Sequence, residues 1–104
     1  MIDIQISIPH NLGSQEARIR IQNLISEGSA KYGKEIQNID AEWNGDTCLF
    51  QFDFKKFPFS GRISGSMSVS DSGVDVKGTI PDTLAPFKNM VEDTIRRKGE
   101  EFLG

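Results

Sequence analysis

Residues 2–8 alternate between apolar and polar side chains, and this alternation constrains the fold more than any other feature of the chain. Isoleucine occupies every even position from 2 to 8, and polar residues stand between them. Successive side chains of a β-strand point to opposite faces, so the pattern predicts a strand with one buried and one solvated face. Four further strand-like runs and two amphipathic helical stretches occupy most of the remaining chain. The sequence therefore predicts a binding or organising protein rather than an enzyme.

Size and charge narrow the class of protein. The 104 residues suit one domain, 1–104, and 37% hydrophobic with 26% charged residues is typical of a globular chain. A net charge of −3 without a basic stripe does not indicate binding to nucleic acid. The single cysteine excludes an internal disulfide, and no run approaches the ~18 apolar residues of a membrane span. We expect a soluble, cytoplasmic protein.

A first helix is predicted between Ser14 and Gly33. Ser14 is a favourable N-cap, and Gly33 is a natural C-cap. The helix carries one apolar stripe, formed by Ala17, Ile21, Leu24, Ile25, Gly28 and Tyr32. Ile19 lies off this stripe, and we expect it to be exposed.

Four strands joined by short connections are predicted next. The second strand runs from about Ile36 to Trp43, and Asn44-Gly45 predicts a two-residue hairpin turn with positive φ at both positions. The inward rows of the following strands are predicted to be Cys48, Phe50, Phe52 and Phe54; Ile63, Gly65, Met67 and Val69; and Val74, Val76 and Ile80. The serines between Ser64 and Ser70 form an outward, solvated row, and Asp71-Ser72-Gly73 predicts a turn.

The chain ends in a second predicted helix. Pro81-Asp82 stops the sheet, and the helix is expected from Thr83 to Leu103 with Pro86 in its first turn. Its stripe consists of Leu84, Phe87, Val91, Ile95 and Phe102. The order β-α-β-β-β-β-α predicts an α+β fold, with a mainly antiparallel, curved five-stranded sheet and two helices on one face. This is a reduced helix-grip arrangement.

Residues that carry catalytic or metal chemistry are few. Cys48 as a nucleophile would need the single histidine, His10, as its base, and a small core residue is the simpler interpretation. The carboxylate pairs Glu92-Asp93 and Glu100-Glu101 diverge on a helix, and Arg96-Arg97-Lys98 is interpreted as cations near a helix C-terminus. One histidine and one cysteine do not predict a zinc site, and no glycine-rich phosphate loop occurs. The sequence therefore predicts no catalytic, cofactor or metal site.

Phe57-Pro58-Phe59 leaves two interpretations open. These phenylalanines break the even-numbered spacing of the preceding aromatic row. A bulge at Lys55-Lys56 would return both rings to the core. Otherwise Phe57 and Phe59 form an apolar, proline-stiffened tip flanked by Lys55 and Lys56, which suits contact with an apolar surface or a partner groove.

Short motifs in a fixed order extend over nearly the whole chain. They are His10-Asn11-Leu12-Gly13, Glu16-Ala17-Arg18, Tyr32-Gly33, Trp43-Asn44-Gly45-Asp46, Ser60-Gly61 and the segment from Leu84 to Lys88. In these motifs the chain resembles the polyhydroxyalkanoic acid system family of small bacterial proteins. The resemblance implies a link with the synthesis, use or granule surfaces of polyhydroxyalkanoates. It carries no catalytic residue onto this sequence, and Phe57-Pro58-Phe59 is richer in aromatic residues than the family pattern.

Two hypotheses of function follow, and neither needs a cofactor. The first is non-enzymatic association with polyhydroxyalkanoate granules or granule proteins, through Phe57 and Phe59 with Lys55 and Lys56 at the polar margin. The second is a carrier for a small apolar or acyl ligand, held between the sheet and the last helix. Glycines at inward positions are expected to leave volume for such a ligand: Gly65, Gly78 and Gly99.

Overall fold

One antiparallel sheet carries two helices on its inner face. The computed structural model describes residues 1–31 and 36–103, and only the backbone of residues 28–31. In chain order the elements are β1 (Ile2–Pro9), α1 (Ser14–Lys31), β2 (Ile36–Asn44), β3 (Thr47–Lys56), β4 (Phe59–Val69), β5 (Gly73–Ile80), a 3₁₀ helix (Asp82–Phe87) and α2 (Lys88–Leu103). The strand order is β1-β5-β4-β3-β2 with every pair antiparallel. The predicted α+β fold with a curved sheet is confirmed.

The connection through α1 joins the two edges of the sheet, because β1 and β2 are its outer strands. The start of α1 is held on the turn between β4 and β5. The Asp71 carbonyl accepts the N–H of Gly13 at 3.2 Å, and its carboxylate accepts the N–H of Ser14 at 3.0 Å. A side chain from a distant turn thus satisfies a helix N–H, which the local sequence around Ser14 does not indicate.

Apolar side chains of the inner face form two clusters with the helices. The first consists of Ile6, Ile8, Ala17, Ile21, Phe50, Val69, Val74, Val76 and Leu103, and the second of Ile4, Phe54, Ile63, Ile80, Leu84 and Val91. Phe52 and Ile95 are half-buried and pack against both clusters. The predicted inward rows are therefore the core. Ile19 is exposed as expected, and so are Ser64 and Ser68 on the outer face.

One hairpin turn and the C-terminal helix differ from the prediction. The β2–β3 turn consists of Gly45-Asp46, and only Gly45 has positive φ, as in a II′ turn. The C-terminal helix is divided, because Pro86 has no N–H to donate and the segment before Lys88 takes 3₁₀ geometry. Its last turn buries Leu103, whereas Phe102 of the predicted stripe is half-buried.

Some predictions for α1 fall outside the described residues. They concern Gly33 as the C-cap and Tyr32 on the apolar stripe. The placement of Gly28 on that stripe concerns a residue described by its backbone alone. The described part of the stripe is confirmed, with Ala17 and Ile21 buried.

The inward glycines mark close approaches rather than empty space. A Cβ on Gly65 would meet the Lys77 carbonyl oxygen and would lie 2.8 Å from the Gly78 Cα and 2.9 Å from the Phe50 ring. A Cβ on Gly99 would meet the Cδ1 of Ile8. The expectation that these glycines leave volume for a ligand is therefore wrong, since backbone or core side chains already occupy that space.

A cluster of polar side chains on the outer face links the edge strand β2 to β3 and β4. Arg62 donates to the carboxylates of Asp53 at 2.8 Å and Asp40 at 3.0 Å, and to the Gln51 side chain at 3.2 Å. Asn38, which has a φ of 54° within an irregularity of β2, donates its side-chain amide to Asp53 at 2.8 Å. The hydrogen bond from Asn38, followed by that from Arg62, holds the pKa of Asp53 below its ordinary value.

Replacing Gly65 by alanine should destabilise the fold, because the new Cβ meets backbone atoms that side-chain rotation cannot move. We expect Gly65→Ala to lower the free energy of unfolding in urea by about 1–3 kcal/mol. The matched control is Gly73→Ala in the same hairpin, where the nearest atom to the new Cβ is 3.5 Å away. The control should change stability by at most about 1 kcal/mol. Equal effects of both variants would contradict the close approach at Gly65.

The lowered pKa of Asp53 predicts an acid-dependent contribution to stability. A carboxyl group whose pKa is lower in the folded state stabilises the protein above its unfolded pKa, and this contribution is lost as pH falls through the folded pKa. Asp53→Asn should therefore lower the thermal midpoint at pH 7, and the gap to the native chain should narrow as pH falls below the ordinary carboxyl pKa of about 3.9. Thermal unfolding followed by circular dichroism from pH 7 to pH 2.5 measures this gap. A gap that stays constant with pH would contradict the assignment.

Candidate functional site

The β3–β4 hairpin ends in a two-residue turn that projects a phenylalanine into solvent. The strands pair in regular register as far as Lys56 and Phe59, so only Phe57 and Pro58 lie in the turn. The bulge that would return both rings to the core is absent, and that interpretation is wrong for Phe57, which is 98% exposed. The segment from Lys55 to Ser60, which the sequence suggests as a connection between strands, is therefore mostly strand, because its ends belong to β3 and β4.

The two phenylalanines of this hairpin have different environments. Phe59 starts β4 and is 40% exposed, and its ring meets the edge of Phe87 with centroids 5.2 Å apart. Phe87 in turn packs against Phe54 of the core with centroids 6.1 Å apart. Phe59 is therefore joined to the core through an aromatic row. Phe57 is a surface group whose ring the fold leaves in solvent.

Two lysines flank the exposed ring. Lys55 and Lys56 end β3, and both are exposed. We call the segment Lys55–Phe59 the aromatic tip. An exposed aromatic ring beside cationic side chains can enter an apolar layer while the ammonium groups stay at a polar or anionic margin. The structure thus brings the four predicted contact residues together in one hairpin.

An apolar cleft of about 130 Å³ lies between the sheet and both helices. Its floor is the centre of the inner face, formed by Phe50, Phe52, Met67 and Val76. The Phe50 and Phe52 rings stand nearly parallel, at 14°, with centroids 6.2 Å apart. This floor lies where the two core clusters meet.

The walls of the cleft come from elements far apart in sequence. Leu24 and Ile25 of α1 form one side, and Ile36 and Ile39 of β2 continue it. All four are half-buried, so their apolar surface is shared between the core and the cleft. Sequence periodicity assigns these residues to a core stripe and gives no sign that space remains between them.

The third side of the cleft is one face of α2. Thr94, Ile95 and Lys98 line it. The lining surface is apolar throughout, so Thr94 and Lys98 contribute apolar atoms to it. The Lys98 ammonium instead reaches the Glu101 carboxylate at 3.5 Å. An apolar cleft with a charged group beside it can hold a hydrocarbon chain that ends in a polar head.

A larger concavity of about 1290 Å³ occupies the outer face of the sheet. Its lining mixes acidic, basic and neutral polar side chains from all five strands, such as Asp3, Glu42, Ser66 and Lys77. Binding sites for small molecules are mostly apolar with a few convergent polar groups, which this surface is not. We therefore take the aromatic tip and the cleft as the candidate sites.

The structure keeps His10 and Cys48 apart. One row across the sheet runs from Cys48 on β3 through Met67 on β4 and Val76 on β5 to Ile6 on β1. Cys48 is thus three strand spacings away from β1, which is about 14 Å at ordinary strand spacing. His10 follows the end of β1, where its Nδ1 accepts the N–H of Leu12 at 3.1 Å. Cys48 is fully buried, and burial raises the pKa of its thiol. Cys48 is therefore a small core residue, as predicted.

Two features are absent from the described residues: a group of metal ligands and a helix that could cross a membrane. No three histidine, cysteine, aspartate or glutamate side chains within residues 1–31 and 36–103 are grouped so that they could hold a metal ion. Neither helix, over its described part, is long and apolar enough to cross a membrane.

Comparisons with known proteins give a family match and distant structural likenesses. Residues 4–103 match the model of the family described as "Putative polyhydroxyalkanoic acid system protein". No curated protein matches the chain. Among solved structures, the protein TTHA0849 from Thermus thermophilus is similar, with 11% identity, a TM-score of 0.43, and 98% of this chain and 92% of that chain covered. The ZhuI aromatase/cyclase from Streptomyces sp. R1128 has 5% identity and a TM-score of 0.41, with 98% and 90% covered.

Proposed function

We propose that this chain, which belongs to the polyhydroxyalkanoic acid system family, associates with the surface of polyhydroxyalkanoate granules in the cytoplasm through its aromatic tip. The observation that carries the proposal is the 98% exposure of Phe57 on a hairpin end flanked by Lys55 and Lys56. A polyester surface is apolar and accepts an aromatic ring. Lysines beside the ring remain at the outer boundary of such a layer.

The energies suggest a weak, reversible contact. Burying one phenylalanine ring is worth about 2–3 kcal/mol, which by itself corresponds to a dissociation constant of about 10 mM. Each lysine would add about 1 kcal/mol only at a surface that is anionic, and an uncharged polyester does not provide one. A granule that presents a continuous apolar surface still retains such a protein, because many equivalent sites surround each molecule. The ring is the largest single contribution, so its loss should dominate.

The proposal is non-enzymatic. Cys48 is supported as a structural residue by its burial and by its thiol pKa, which is raised and so disfavours the thiolate nucleophile. An ester or thioester hydrolysis that disappears in Cys48→Ser would contradict this part of the proposal.

Phe57→Ser should abolish co-sedimentation with polyhydroxybutyrate particles while leaving the thermal midpoint nearly unchanged. The matched control is Leu49→Ser, which removes another exposed apolar side chain, 52% exposed, from the outer face of the sheet. It should sediment like the native chain. Phe59→Ser should lower the midpoint, because it removes the ring packed on Phe87, a contact worth about 0.5–1.5 kcal/mol beyond its buried area.

Bare polymer particles and native granules distinguish the two possible partners. Binding of the native chain to both, lost in Phe57→Ser, supports contact with the polyester surface. Binding to native granules alone would show that a granule protein is the partner and would contradict surface contact. Unchanged sedimentation of Phe57→Ser would contradict the role of the aromatic tip.

The second candidate function is carriage of a small apolar or acyl ligand, and the apolar cleft favours it. The cleft lies between the sheet and both helices, and the hypothesis from the sequence puts the ligand between the sheet and the last helix. Native mass spectrometry of protein purified from polymer-accumulating cells should then show a fraction with added acyl mass. A spectrum of the unliganded mass alone, under conditions that retain a ligand on a known carrier, would contradict this candidate.

A further inference from the structure

We propose that the contact with the polyester surface extends from the aromatic tip to the neighbouring 3₁₀ helix, whose residues Ala85 and Pro86 also lie on the polymer. This inference rests on the proposed granule association and adds a second element to its contact surface. It depends on how the hairpin and the 3₁₀ helix pack together, on which side of the 3₁₀ helix faces solvent, and on where charged residues are missing.

The 3₁₀ helix packs against the base of the β3–β4 hairpin. The ring of Phe87 meets that of Phe59 with centroids 5.2 Å apart. Pro81 and Leu84 approach the backbone of β4 closely. A Cβ on Gly61 would lie 2.6 Å from the Pro81 Cγ and 3.0 Å from the Leu84 Cδ1. The hairpin end and the 3₁₀ helix therefore form one packed unit.

The solvent side of the 3₁₀ helix is apolar. Side chains three residues apart lie on the same side of such a helix. Leu84 is fully buried and Phe87 is half-buried, so this pair forms the side that faces the protein. Ala85 and Pro86 lie between them, and both are exposed. The 3₁₀ helix thus presents a small apolar surface to solvent beside the Phe59 ring, which is itself 40% exposed.

Charged side chains are missing from both parts of this unit. None occurs in residues 57–61 or in residues 83–87. Asp82, at the start of the 3₁₀ helix, binds the N-terminal ammonium at 2.9 Å. Carboxylates are instead found in the turns at the opposite end of the strands, at Asp46 and Asp71. A charge pressed onto an uncharged polyester would lose hydration without compensation, so an uncharged end suits this surface.

The weak affinity of a single ring favours a second contact. Burial of the Phe57 ring alone corresponds to a dissociation constant of about 10 mM. Each further buried methylene or methyl group strengthens binding about fourfold. The exposed parts of Phe59, Ala85 and Pro86 supply such groups. A broad apolar surface can cover them together with Phe57, because the turn projects from the same end of the molecule.

Ala85 offers two substitutions with opposite expected effects on binding to polyhydroxybutyrate particles. Ala85→Glu places a carboxylate on the polymer and should weaken binding at least about fivefold. Ala85→Leu adds apolar area and should strengthen binding about threefold to tenfold. Both variants should keep the native thermal midpoint, because the side chain is exposed. The matched controls Ser72→Glu and Ser72→Leu change an exposed residue of the β4–β5 turn, at the opposite end of the strands, and should bind like the native chain.

A polarity-sensitive fluorophore detects the contact directly. Attached to the thiol of Ala85→Cys, it should shift its emission to shorter wavelength when polymer particles are added. On Ser72→Cys its emission should stay unchanged. Cys48 does not take up the label in the folded protein, because its side chain is fully buried.

The outcomes separate this inference from the proposed granule association. Opposite effects of Ala85→Glu and Ala85→Leu, with unchanged Ser72 controls, support the second contact. Loss of binding in Phe57→Ser, with native affinity in both Ala85 variants, would overturn the second contact and leave the aromatic tip as the granule contact. Equal losses in Ala85→Glu and Ser72→Glu would also contradict it, since added negative charge at any position would then explain the effect. No binding of the native chain to the particles would overturn both proposals.

Discussion

The apolar inner face of the sheet has to be covered, and the rest of the structure follows from how two helices cover it. α1 crosses from the end of β1 to the opposite edge, and α2 returns along β1. Gly99 allows α2 to approach so closely that a Cβ there would meet Ile8. α2 is thereby held close to β1, at one edge of the inner face. The centre of the face, over Phe52, is left with the space that forms the cleft.

The two candidate sites differ in where their apolar surface lies: at the aromatic tip it is exposed to solvent, and at the cleft it lies between the sheet and the helices. At the aromatic tip the strands remain paired until only Phe57 and Pro58 are left, so the turn has no core within reach of the Phe57 ring. At the cleft, by contrast, the lining residues belong to the inner face of the sheet or to the two helices that cover it. The aromatic tip thus exposes an apolar ring to solvent, whereas the cleft is a space between apolar side chains that the fold leaves unfilled. Because they involve different residues, they can be tested independently.

The sequence predicts the fold well where side-chain alternation is regular. The isoleucines of β1 and the serines of β4 lie on the faces that the period-2 pattern assigns, because alternation is a property of the strand itself. Prediction is weaker where a few backbone atoms decide the outcome. The β2–β3 turn lies one residue later than predicted, at Gly45-Asp46. A bulge at Lys55-Lys56 would bring Phe57 to the core, and without that bulge Phe57 lies at the surface. Both outcomes depend on strand register, which the pairing partner determines.

The sequence by itself determined the period of each element, which face of each element is apolar, and the family motifs, since these depend on residue type and spacing along the chain. Only the tertiary structure decided what lies between the elements. It placed Asp71 at the start of α1, filled the space beside Gly65 with backbone, and brought Leu24, Phe52 and Lys98 around one cleft. Such contacts depend on the distance between packed surfaces. A distance of this kind is set by the side chains of both partners together, and neither segment carries it alone.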